Sequence, residues 1–131
     1  MSDMRLRFDK AEVLDDAAAR HVRVTVSFAG ETFAAAAASD GDAMSDLKAA
    51  AVATLSAVEG AVGHRFTARL ADLDHVNALG KELVAVLVDI AFEAKEVQVF
   101  GSCQIAGAEM DAAVKAALNA TNRFVDLSMR A

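Results

Sequence analysis

The chain has little of what most often carries covalent or metal chemistry. Among its 131 residues there is one cysteine, Cys103, and there is no proline, tryptophan or tyrosine. A lone cysteine excludes an intramolecular disulfide and a cysteine-based zinc cluster, and it fits a reducing compartment. Aromatic residues make up 5% of the chain and are all phenylalanine. No aromatic platform is therefore interleaved with the arginines in the way single-stranded nucleic acid requires. Basic residues are also outnumbered, 13 against 19 acidic, for a net charge of -6. A surface of that sign repels a phosphate backbone, so no nucleic-acid partner is expected. Long apolar runs are missing as well. The N-terminal stretch MSDMRLRFDKAEV has no apolar signal core, and LVAVLV at 83–88 is too short to span a bilayer. The expectation is a cytoplasmic protein with no membrane partner.

What is abundant is apolar surface. Hydrophobic residues reach 55%, ample to bury a core against the entropy of ordering the chain. The length suits one domain over 1–131. Much of the apolar content is alanine, so the layers should approach closely.

The pattern of those residues is written twice. HVRVTVSF alternates, with Val22, Val24, Val26 and Phe28 on one face and Arg23, Thr25 and Ser27 on the other, which reads as a half-buried strand. AGET follows as a tight turn using Gly30, and FAAAAAS returns as the antiparallel partner. Met44, Leu47, Ala51, Leu55, Val58 and Val62 then recur at helical spacing. The series repeats as LVAVLVDIAF, a turn at EAKE, VQVFGSCQIA, and a second amphipathic helix over 108–125. Laying the helices together sets Thr54-Leu55-Ser56-Ala57 on Ala117-Leu118-Asn119-Ala120. Each half also opens on a weaker strand with an Arg-Phe pair, Arg7-Phe8 and Arg65-Phe66. The expected fold is α+β, two tandem βββα units divided at about 1–62 and 63–131, an antiparallel sheet with helices packed on one face.

With SDGDAMSDLKAA opening the first helix and AGAEMDAAVKAALNATNR forming the second, the chain resembles the small regulatory domain of α-isopropylmalate and citramalate synthases, over roughly 4–125. The fragment AALNATNR is similar to that domain's closing helix. The resemblance implies a stand-alone equivalent of a non-catalytic domain, one that pairs with a copy of itself and binds a feedback amino acid or keto acid near the interface. The family's opening to the first helix is Gly-rich and contains proline; this chain keeps only Gly41 and Asp42.

Candidate site residues follow from the same pattern. Each third strand runs into a helix N-terminus through ASDGDA or IAGAEM, where unpaired amides attract anions. Asp40, Gly41, Asp42, Gly107 and Glu109 could hold an amino-acid-like zwitterion there, its ammonium on an aspartate; the simpler reading is that these acids only cap the helices. Small side chains in the third strands, Ala34 and Ala36, and the helix flank of Ala113, Ala120 and Phe124 suggest close approach by a second copy, a homodimer above all, or by a partner protein. No cofactor and no metal site is expected. Asp72 to His75, DLDH, is the one local group of metal-ligand types and reads as a solvated turn, because no third or fourth ligand is fixed by spacing. A small enzyme using Cys103, His64 or Asp89 is the alternative function. Asn119, Asn122 and Arg123 read first as the wet flank of the last helix, and second as a partner surface.

Overall fold

A computed structural model describes residues 6–15 and 19–130. The order is β1 (Arg7–Asp15), β2 (Arg20–Phe28), β3 (Glu31–Ser39), α1 (Ala43–Ala61), β4 (Thr67–Ala78), β5 (Lys81–Phe92), β6 (Lys95–Gln104) and α2 (Glu109–Met129). Two tandem βββα units are therefore present. The strands form two three-stranded antiparallel sheets, β1-β2-β3 and β4-β5-β6, with the middle strand of each unit at its centre. No helix among the described residues is long and apolar enough to cross a membrane.

Alternation in the central strands decides which face is covered. Val22, Val24 and Val26 are fully buried, and so are Val84, Val86, Val88 and Ile90. These inner faces pack on the helices: α1 lies on β2 and β3, and α2 on β5 and β6. The helices also pack on each other, and each reaches the first strand of the other unit, α1 touching β4 and α2 touching β1. Alanine makes this possible. Ala50, Ala51 and Ala53 in α1, and Ala113, Ala116 and Ala117 in α2, are completely buried. Two threonines share that interior without leaving a bare hydroxyl, because Thr54 donates to the Ala50 carbonyl at 2.7 Å and Thr121 to that of Ala117 at 3.2 Å.

The hairpins close on left-handed pairs: Ala29-Gly30, Leu79-Gly80 and Glu93-Ala94 all have positive φ, the two-residue geometry that matches strand twist. Gly30 thus takes the second central position, and Ala29 holds the first at φ 53. The Glu93-Ala94 turn uses no glycine at all.

Two expectations are corrected. The segment DLDH is not a turn; it lies inside β4, with Asp72 opposite Leu87 and His75 opposite Val84. The Arg-Phe pairs are not equivalent either. Phe8 sits in β1 beside a bulge and opposite Val26, whereas Phe66 precedes β4 and is buried. What the two first strands share is the bulge itself, between Phe8 and Lys10 in one and between Leu70 and Asp72 in the other. A bulge adds a residue and re-aims the strand, which makes it a better register mark than the arginines.

Candidate functional site

The helix entries were the first candidates. At α1, Asp42 is the N-cap: its carboxylate accepts the Ser45 N–H at 2.8 Å and the Ser45 hydroxyl at 2.9 Å. These bonds, the backbone one foremost, hold its carboxyl below the usual aspartate range. Gly41 adopts φ 102 and donates its N–H to the Ser39 hydroxyl at 3.1 Å. Ser39 in turn donates to Asp46 at 2.6 Å. Asp46, with its side chain 16% exposed, is gripped by Arg20 through Nε at 3.0 Å and Nη2 at 2.7 Å. That guanidinium fork depresses the Asp46 carboxyl, with the Ser39 bond assisting. Asp40, Gly41 and Asp42 are exposed, and Asp42 and the Gly41 amide already have partners inside the turn.

At α2 the entry is barer. Ala108 occupies the N-cap and makes no side-chain cap bond, and Gly107 before it has φ 116. Glu109 points back to β4, its Oε2 lying 3.5 Å from His75 Nδ1, while His75 Nε2 is 3.9 Å from Glu82. His75 therefore links the strand to the helix start. Among the described residues no group of three or more His, Cys, Asp or Glu side chains converges as a metal site would require.

Of the catalytic alternatives, Cys103 and Asp89 lie far apart. Cys103 pairs with Val84 and Asp89 with Gln98, which separates them by about 17 Å along the sheet at the usual strand rise. Cys103 is half-buried, and its thiol donates to the neighbouring Gln104 carbonyl. His64 sits in the connection after α1, its N–H bonded to the Glu59 carbonyl at 2.8 Å. Asp89 is exposed and accepts from Gln98 Nε2 at 2.8 Å.

The proposed contact surfaces divide. Ala34 and Ala36 are exposed on the uncovered face of β3. Ala113 and Ala120 are buried within the chain, and Phe124 stacks tilted against Phe66 and edge-on to Phe92, with ring centres 6.2 Å apart in both pairs. Ala113 and Ala120 therefore close the chain's own core, while Phe124 stays partly exposed. Asn119 donates to the Ser102 carbonyl at 2.8 Å and ties α2 to β6. Asn122 and Arg123 are exposed, on the wet side of the helix.

The uncovered faces of the two sheets hold what sequence reasoning missed. On the β4-β5-β6 sheet the outer rows run Asp72-Leu87-Phe100 and Asp74-Ala85-Ser102. Phe100 is 68% exposed there. The apolar character of both faces of 83–92 was the available signal. At the end of this face lies a cleft of about 630 Å³, floored by Ala91 and walled by Thr67, Arg69, Asp89, Glu96 and Gln98, with Glu59 of α1 at its rim. Its size is that of a small-molecule site. Glu59 accepts the Ala68 N–H, yet partial burial pushes its carboxyl above the usual glutamate range, against that bond and against His64 and Arg69 nearby. Nothing in its helical phase separates Glu59 from an ordinary boundary residue, so the sequence gives no mark of it.

Comparison with protein-family models and with curated proteins finds no match for the chain.

Proposed function

We propose that the protein is a non-catalytic α+β module that associates with copies of itself in a regulatory or assembly role. The observation that carries this reading is the outer face of the β4-β5-β6 sheet. Phe100 stands 68% exposed beside Leu87, and Leu83 lies four residues back along β5 on the same face. Large apolar side chains grouped on one face mark a surface that another protein covers. The resemblance to the regulatory domain of α-isopropylmalate synthases supports the same reading, since that domain pairs with itself.

An amino-acid-like effector belongs to the proposal as well. At the first helix entry the Gly41 amide and the Asp42 carboxylate are already occupied, which leaves the entry at Gly107 and Glu109 and the cleft around Asp89, where Arg69 supplies a charge for a carboxylate and Glu59 and Glu96 supply charges for an ammonium. The enzyme reading has less behind it, because Cys103 and Asp89 lie about 17 Å apart along the sheet at the usual strand rise.

Light scattering across a wide concentration range tests self-association. A mass above that of one chain, rising or saturating with concentration, is the expected result. A single-chain mass at every concentration ends the reading.

A further inference from the structure

Resting on that self-association reading, we propose that the contact is head to tail: the outer face of the β4-β5-β6 sheet of one copy packs on the outer face of the β1-β2-β3 sheet of another. The two faces differ in shape. On the first, Phe100, Leu83 and Leu87 stand up from the sheet. On the second, the third strand presents Ala34, Ala36 and Ala38, all exposed, as a shallow trough along one side. A bulky ridge on one surface matches a row of methyl groups on the other.

Charge points the same way. The outer face of β4-β5-β6 carries Asp72, Asp74, Asp89 and Glu96 against two cations, Arg69 and Lys81. The opposing face carries Arg7, Lys10 and Arg23 against Asp9 and Glu12. Lys10 and Glu12 already pair with each other at 3.7 Å and Asp9 accepts from the Ser27 hydroxyl, which leaves Arg7 and Arg23 as the uncompensated charges of that face. Arg23 sits in the central strand between Glu12 and Ala36, beside the trough. With Phe100 over the trough, the β4 aspartates come over the side that carries Arg7 and Arg23. Two copies meeting through the acidic face alone would instead set four carboxylates against four, which like-charge repulsion opposes. A contact between two different surfaces leaves one of each kind free on every pair, so it continues into a ring or a longer assembly. A three-stranded face is small against a standard interface of about 800 Å² per partner, so the assembly is weak and concentration-dependent.

The test uses two variants that each remove one face. Phe100→Asp keeps the trough, and Ala36→Glu keeps the ridge; both positions are exposed, and circular dichroism melts confirm the fold. Each variant alone should have the mass of one chain, and an equimolar mixture should form a one-to-one complex in native mass spectrometry, stopping at two because each partner has one working face. If either charge change disturbs folding, Phe100→Ser and Arg23→Ser replace them. Wild-type assembly should also weaken as salt rises. Self-association that persists in Ala36→Glu, a mixture that stays monomeric while wild type assembles, or assembly that strengthens with salt overturns the head-to-tail contact and leaves self-association standing. A wild-type chain that is monomeric throughout overturns both.

Discussion

The two βββα units bury their helices alike and hold them differently. Between 49 and 58 every buried position of α1 has a buried counterpart 63 residues later in α2, and exposed Val52 and Ser56 fall on exposed Lys115 and Asn119. The strands beneath do not match so closely. The seventh residue of β3 is Ala37, and the seventh of β6 is Gly101; both face inward, opposite Val22 and Val86. A methyl group built on Gly101 would lie 2.2 Å from the Ala116 carbonyl oxygen and 2.7 Å from the Ala120 methyl. The second helix is seated on bare backbone, where the first unit accommodates an alanine. The apolar pattern sets which residues go inside, and a single hydrogen in place of a methyl sets how close the layers come.

The largest test of that difference exchanges the two residues. Gly101→Ala forces backbone apart along α2 and should cost at least about 3 kcal/mol, since overpacking a tight contact strains everything around it. Ala37→Gly loses a methyl and gains chain entropy on unfolding, for about 1 kcal/mol. Urea denaturation measures both. Equal costs would show that the two helices sit at the same height.

The helix entries differ in the same spirit. α1 has a carboxylate cap in Asp42, and its first turn is locked to the sheet by Arg20, Asp46 and Ser39. α2 begins at Ala108 without a cap and leans on His75 through Glu109. Its other end is held from outside, where Arg65 Nη1 donates to the Ser128 carbonyl at 2.8 Å, a cation at the negative end of the helix. Ala108→Asp should supply the missing cap and stabilise the chain by about 1 kcal/mol. Asp42→Ala should lower the melting temperature. A thermal melt that shows no gain from Ala108→Asp would mean that Glu109 and Asp111 already satisfy the first turn.

Much of this was legible. Alternation in 22–28, the helical spacing of Leu47, Leu55 and Val58, and the overlay of Leu55 on Leu118 are consequences of burial, and burial repeats in sequence with the period of the element. The site was less so. DLDH reads as a turn because three of its four residues are acidic or histidine and resemble a loop, yet Asp72 and Asp74 simply face water from a strand while Leu73 faces the core. Ala113 and Ala120 read as free surface because one helix wheel has no way to show that a second helix and a glycine strand cover its flanks. The difference between the outer faces depends on register: Asp72, Leu87 and Phe100 are distant in sequence and meet only once three strands align.

The smallest expected effect concerns Glu59, whose counterpart 63 residues on is the exposed, uncharged Asn122. Burial raises the Glu59 carboxyl above its unfolded value, with the Ala68 N–H and the neighbouring His64 and Arg69 opposing. A carboxyl raised in this way holds its proton in the folded chain after the unfolded chain has lost it. Its contribution is therefore most favourable below the unfolded value of about 4.3 and is lost as pH rises through the folded one. Asp42 and Asp46 have the opposite sign: both are depressed, so their contribution is present above the unfolded value of about 3.9 and lost as pH falls through the folded one. Acid unfolding thus releases the first turn of α1 while relieving its last. Glu59→Gln keeps an acceptor for Ala68 and removes the charge, so at pH 7 it should raise stability, by less than about 1 kcal/mol because the carboxylate still touches water. The gain should vanish below about pH 4, where the wild-type group is already neutral. Thermal melts of the two proteins from pH 3 to 8 read this directly. A gain independent of pH would assign the effect to packing rather than charge, and a loss at pH 7 would mean that the attraction of Arg69 outweighs the burial of the carboxylate.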